Sequence, residues 1–139
     1  MFRMIGMDHI VLNVIDVDKI LNFYTNVLGL EPERLDEFKN GKVKFPSVRV
    51  SSDVVIDLFP PAMHKYTNSD VQHHNLNHFC LVIEKDDMLK FIEHLEKHGV
   101  VIEEKLSQNW GAKGIGISVY FSDPEGNKIE VRYYEDLRI

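Results

Sequence analysis

One cysteine, Cys80, occurs in the 139 residues. No internal disulfide is available, and the chain suits a reducing compartment. No apolar run approaches the ~18 residues of a membrane span. The opening MFRMIGMDHIVLNV lacks the apolar segment and small-residue cleavage site of a secretory leader, so a cytoplasmic location is expected. Positive charge is also short: 16 Lys and Arg stand against 22 Asp and Glu, for a net −6, and they are scattered rather than striped. That argues against nucleic acid or an anionic membrane as the main partner. The 44% hydrophobic and 27% charged residues are those of an ordinary globular protein, long enough to bury a core without staples.

The sequence is written twice. DHIVLNVIDVDKILNFYTNVLGL (8–30) and NHFCLVIEKDDMLKFIEHLEKHGV (77–100) each run through a polar residue, a His, an alternating apolar stretch, an acidic cluster, an amphipathic segment and a Gly. His9 falls on His78, and Gly29 on Gly99. VVIDLF (54–59) parallels NKIEVR (127–132), which puts Asp57 on Glu130. So long a period implies a duplicated module rather than a solenoid repeat. The chain divides into module 1 (5–60), a polar linker (61–76) and module 2 (77–139), all within one domain. Each module reads strand, helix, then three strands. The spacing predicts helices over 17–28 and 86–98. It predicts strands at 7–14, 33–38, 43–50 and 53–59, with Asn40-Gly41 as a hairpin turn. In module 2 the strands fall at 78–84, 100–105, 114–121 and 127–134, the last two joined by Asp123-Pro124-Glu125-Gly126.

Strand parity decides which residues can meet, since side chains alternate faces. Ile10, Leu12 and Val14 oppose His9, Val11 and Asn13. Phe79, Leu81 and Ile83 oppose His78, Cys80 and Val82. Val54, Ile56 and Leu58 oppose Val55, Asp57 and Phe59, while Ile129 and Val131 oppose Lys128, Glu130 and Arg132. Each strand offers one apolar face for helices to cover and puts its His or carboxylate on the other. Two modules with those second faces inward would converge two imidazoles and two carboxylates, a donor set suited to a divalent transition ion.

DHIVLNV with FYTNVLGL downstream, NHFCLVIE, and VYFSDPEGNKIEVR together resemble the vicinal-oxygen-chelate superfamily of glyoxalases, bleomycin-resistance proteins and dioxygenases, over essentially the whole chain. The resemblance implies an α+β fold of two tandem βαβββ modules, forming an open curved sheet cup with helices outside. It places His9, His78 and Glu130 on the family's metal-ligand positions, for Zn, Ni, Mn or Fe. The fourth position, a Glu in bacterial glyoxalase I, is Asp57 here. One methylene shorter, Asp57 is left with three roles: direct ligand, ligand through water, or base. Family members commonly form homodimers, and that is the expected state here.

Ser118 and Tyr120 oppose Ile117, Val119 and Phe121, which points their hydroxyls toward the substrate. Arg132 shares the face of Glu130; it either grips a substrate carboxylate or phosphonate or neutralises Asp57 or Glu130. Phe59 and Val11 would wall the apolar side. Cys80 reads as a small buried residue. His64, His73 and His74 belong to the linker, and Trp110 with Gly111, Gly114 and Gly116 suggests a mobile loop beside the site. The functional expectation is a metal-dependent isomerase, lyase or thiol transferase acting on a small substrate with vicinal oxygens. Asp57 and Glu130 are its candidate proton carriers. A ferrous ring-cleaving dioxygenase and a non-catalytic drug- or metabolite-binding resistance protein are the alternatives.

Overall fold

The computed structural model describes residues 3, 5–65 and 76–136. It contains two compact units, 1–71 and 72–139. In the first, β1 (His9–Asn13) is followed by α1 (Val17–Asn22), β2 (Glu31–Glu33), α2 (Leu35–Lys39), β3 (Ser47–Arg49) and β4 (Val55–Phe59). In the second, β5 (Phe79–Val82) leads to α3 (Met88–Lys97), β6 (Ile102–Gly111), β7 (Gly114–Ser122) and β8 (Lys128–Tyr133).

Both units make a four-stranded mixed sheet with the same connectivity, β1-β4-β3-β2 and β5-β8-β7-β6. The first strand of each runs parallel to the last, with Val11 opposite Asp57 and Cys80 opposite Glu130. The remaining pairs are antiparallel. This is the two-module α+β architecture read from the repeat.

The period-two pattern fixes which face is buried. Leu12, Val14, Val48, Ile56 and Leu58 are almost fully buried with Ile20 and Tyr24 of the first helical segment. In the second unit Val119, Phe121, Ile129 and Val131 are buried with Met88, Ile92 and Leu95 of α3, and Phe91 packs its ring against Phe121. Asp16 caps α1 by accepting from the Lys19 amide at 3.1 Å. Beyond Asn22 the helix widens, so that the Leu28 amide bonds the Phe23 carbonyl five residues back. Gly29 and Gly99, both at φ +74°, supply the left-handed stop after the helices that the repeat placed there.

The first unit departs from expectation at 33–38. Only Glu31–Glu33 is strand, and Leu35–Lys39 is helical. Asp36 and Glu37 in the first turn and Lys39 in the last match the helix dipole. Asn40-Gly41 therefore ends a helix instead of closing a hairpin, with Gly41 at φ +74°. The strand expected over 43–50 shrinks to Ser47–Arg49.

In the second unit the expected loop at Trp110 is a strand pair. Trp110 faces Ile115, and Gly111 faces Gly114. β6 accommodates its length through irregular register between Ile102 and Ser107, where Leu106 takes φ +51°. The turn into β8 matches the reading: Asp123 Oδ1 accepts from the Glu125 and Asn127 amides, both at 2.9 Å.

Phe121 fills the middle of the second core with no exposed surface. Its replacement by Ala is expected to destabilise the fold by about 3–5 kcal/mol, measured as a lower urea midpoint at unchanged slope.

Candidate functional site

Each unit builds the same small constellation on the face of its sheet opposite its apolar core residues; in the second unit Ser118, Glu130 and Arg132 are buried there. In the first, the Nδ1 of His9 lies 2.7 Å from Asp8 Oδ1. A carboxylate only accepts, so Nδ1 carries the proton and donates. The other nitrogen, Nε2, faces Asp57 Oδ2 at 3.9 Å. Asp57 is steadied from β3, where the Ser47 hydroxyl donates to Oδ1 at 2.5 Å.

The second unit repeats this with one difference. His78 Nδ1 meets Asn77 Oδ1 at 2.6 Å, and its Nε2 lies 3.1 Å from Glu130 Oε1. The Ser118 hydroxyl, from β7, donates to Glu130 Oε2 at 2.6 Å. Here a guanidinium joins in, with Arg132 Nη2 donating to the same Oε2 at 2.6 Å.

In both units the residue before the His fixes the ring through Nδ1 and turns Nε2 toward a carboxylate. That is the orientation metal-binding imidazoles take, with an outer acceptor holding the tautomer. At Glu130 the two oxygens are divided: Oε2 is held by Ser118 and Arg132, and Oε1 looks toward His78. Nitrogen and carboxylate oxygen donors of this kind fit a divalent ion. No group of three His, Cys, Asp or Glu that could hold an ion occurs among the described residues; each unit offers a pair.

The protonation states follow from these neighbours. The hydrogen bond to Asp8, and then the charge of Asp57, raise the His9 pKa above its ordinary 6.5. Burial works against the Glu130 anion, but hydrogen bonds with Ser118, Arg132 and Tyr120, and the Arg132 charge, outweigh it and hold the carboxyl below its usual range. Burial first, then the hydrogen bond and charge of Glu130, push the Tyr120 hydroxyl up to about 12. It stays protonated as a donor. Burial and the Glu130 charge likewise push the Cys80 thiol up to about 11. Cys80 is exposed as a residue, contrary to the buried reading, yet it holds its proton and is a poor nucleophile at neutral pH.

Arg132 is fully engaged on one side. Besides Glu130, its guanidinium donates to the carbonyls of Asn109 (3.3 Å) and Trp110 (3.1 Å) and to the Tyr134 hydroxyl (3.3 Å). Its side chain is 5% exposed. Room for it exists because position 111 is glycine: a Cβ there would meet Arg132 Nη1 at 1.9 Å. Of the two roles the sequence left to Arg132, this geometry is that of a partner for Glu130.

Ser118, Tyr120 and Arg132 are thus brought together around Glu130. Sequence reasoning missed Ser47, although PSVR (46–49) and ISVY (117–120) carry the same Ser-Val pair. His64 is tied to module 1, its Nε2 2.9 Å from the Val14 carbonyl. His73 and His74 lie outside the described residues.

Residues 6–131 match the Glyoxalase/Bleomycin resistance protein/Dioxygenase superfamily, and the chain belongs to it. Among its relatives, a glyoxalase domain-containing protein, RDO1, of Mycosarcoma maydis is 28% identical over 133 residues, covering 96% of this chain and 70% of that one. The fosfomycin resistance protein FosX of Listeria innocua is 25% identical over 126 residues, covering 91% and 87%. The crystal structure of virulence protein STM3117 from Salmonella typhimurium superposes with a TM-score of 0.75 at 23% identity, covering 96% and 99%. It shares the fold. No helix among the described residues is long and apolar enough to cross a membrane.

Two outcomes follow. Gly111→Ala is expected to cost about 1–3 kcal/mol by forcing Arg132 aside, whereas Gly6→Ala, with nothing within 4 Å of the added carbon, should leave the urea midpoint unchanged. The Glu130 contribution is complete above its unfolded value of 4.5 and is lost as pH falls through 4.5 toward the lower folded value. In metal-free protein, the stability gap between wild type and Glu130→Gln is therefore expected to hold constant from neutral pH down to near 4.5 and to narrow progressively below it, read by urea titration at each pH.

Proposed function

We propose that this protein is a metal-dependent, redox-neutral enzyme acting on a small substrate that carries two adjacent oxygens. His9, His78 and Glu130 hold the ion, with Asp57 as fourth ligand or base. The observation that carries this reading is the repeated pair: an imidazole locked through Nδ1, its Nε2 turned to a carboxylate, and that carboxylate braced by a serine, once in each module. Superfamily membership supports it, and Zn, Ni, Mn and Fe all suit the donors.

A bound divalent ion supplies Lewis-acid polarisation of a substrate oxygen. The residues do the rest. Glu130, kept anionic by Ser118 and Arg132, contributes a fixed negative charge. Asp57 has one serine and no guanidinium, and it is the carboxylate with freedom to take a proton from a neighbouring C–H or water. Tyr120, protonated beside Glu130 and ring-to-ring with His78 at 5.6 Å, offers a hydroxyl donor to a substrate oxygen. The FosX relative makes fosfomycin, an epoxide-bearing phosphonate, one substrate to assay beside hemithioacetals and 2-oxoacid derivatives.

The test begins with metal content of protein purified without added metal. His9→Ala and His78→Ala are each expected to abolish stoichiometric binding; Glu130→Gln should weaken it strongly, and Asp57→Asn less. Affinity should fall with pH as protons compete for Nε2. Unchanged metal content in both His variants would end the metal reading. Stoichiometric Fe with oxygen-consuming catechol cleavage would make the protein a dioxygenase, and a metal-free protein that tightly holds a drug would make it a sequestering module. The same reading carries a homodimer, since each sheet leaves two edge strands. A monomer mass by light scattering at tens of micromolar would refute that part.

A further inference from the structure

With Arg132 committed to Glu130, an anionic substrate would need another cation, and the first module holds one. Asp57 and Phe59 stand two residues apart on the open face of β4, their neighbours Ile56 and Leu58 being buried on the other side. Phe45 packs against Phe59 with ring centroids 4.9 Å apart. Arg34 lies over Phe45, its guanidinium carbon 4.5 Å from the ring centroid, and its Nη2 donates to the Phe45 carbonyl at 3.0 Å. A continuous strip thus runs from carboxylate to aromatic floor to guanidinium.

Arg34 differs from the other two arginines that sit in this fold's elements. Arg49 is paired with Glu33, and Arg132 with Glu130. No carboxylate among the described residues pairs with Arg34, which leaves Nε and Nη1 to a ligand. Local structure does not account for an arginine here. The residue has φ +59°, in the left-handed region, which favours Gly or Asn. It is also the N-cap of α2 and makes no side-chain capping bond, where Asn, Asp or Ser would. A residue poorly matched to its own backbone and cap points to a role for its side chain.

We propose that Arg34, Phe45 and Phe59 form a substrate subsite for an organic anion with a flat apolar body, its carboxylate or phosphonate on Arg34 and its ring on the two phenylalanines. This deepens the metal-enzyme reading and rests on it for the site's role. It directs the substrate's oxygen-bearing end toward the Asp57 half of the ligand set. A stacked guanidinium is pre-placed, so little freedom is lost when the anion binds.

The test uses metal-stripped full-length protein and phenylphosphonate, with benzyl alcohol as its uncharged counterpart, followed by NMR titration. The metal-content experiment above judges the enzyme reading; this one does not involve the ion, so the two fail separately. Phenylphosphonate is expected to bind the wild type more tightly than benzyl alcohol. Arg34→Asn should weaken phenylphosphonate by about tenfold and leave benzyl alcohol unchanged. Arg34→Lys, which keeps the charge but loses the stacked planar fork, should bind phenylphosphonate between the wild type and Arg34→Asn, and Phe59→Ala should weaken both probes. Because Asn accepts the left-handed backbone, which offsets the lost bond to the Phe45 carbonyl, Arg34→Asn should melt near the wild-type temperature. Equal phenylphosphonate affinity in wild type and Arg34→Asn, or equal affinity of the wild type for the two probes, would overturn the subsite. A steep fall in melting temperature in Arg34→Asn would recast Arg34 as a structural residue and overturn it too.

Discussion

The parity of eight short strands governs the site. β1, β4 and β8 each give one face to the core, so His9, Asp57 and Glu130 have only the opposite face to occupy; His78 stands one residue before β5. A shift of one residue in β1 or β8 would bury His9 or Glu130's neighbours wrongly and turn Leu12 or Val131 to the open side. The apolar pattern that folds each module thus also selects where its chemistry stands. Core packing and ligand presentation are two consequences of one register, written once for each module.

Duplication then set the two copies on different courses. Both have a His anchored by the preceding residue and a carboxylate braced by a serine two strands in. In module 2 the residue two beyond the carboxylate is Arg132; in module 1 it is Phe59. That exchange buries a charge pair beside Glu130, with both side chains at 5% exposure or less. A buried ion pair is costly unless its remaining hydrogen-bond capacity is met. The Asn109 and Trp110 carbonyls and Tyr134 meet much of it, leaving Nε of Arg132 without a partner. Module 1, freed from that constraint, places an aromatic floor where module 2 places a lock.

Much of this was legible in the sequence, and the parts that were not have physical reasons. His9, His78, Asp57 and Glu130 could be placed on one face each from alternation alone, because period two is a property of the strand itself. The βαβββ order followed from the repeat. α2 was misread because FKNGK (38–42) carries the asparagine-glycine signal common to hairpins and helix ends; only the acidic first turn, Asp36-Glu37, separates them. Which of its two offered roles Arg132 takes was beyond reach, since its engagement with Glu130 depends on two backbone carbonyls at the tip of a hairpin whose pairing hinges on Gly111 and Gly114. Ser47 was within reach, as the counterpart of Ser118, but alternation offers no reason to favour one serine among the three in SVRVSS (47–52).

The asymmetry between the carboxylates bears on what chemistry the fold can support. Glu130 is stabilised as an anion by a fixed positive charge and two hydroxyls, so protonating it would strand a buried guanidinium. Asp57 has a single serine donor and a half-exposed imidazole 3.9 Å away, and no guanidinium is paired with it among the described residues. In the function proposed above, one carboxylate kept charged and one free to change state would separate holding an ion from moving a proton. Two equivalent carboxylates, as a perfect duplication would give, could do either task but could not keep them apart. The Phe59/Arg132 difference is what breaks that equivalence, and it is the same difference that leaves module 1 room for Phe45 and an arginine with no carboxylate of its own.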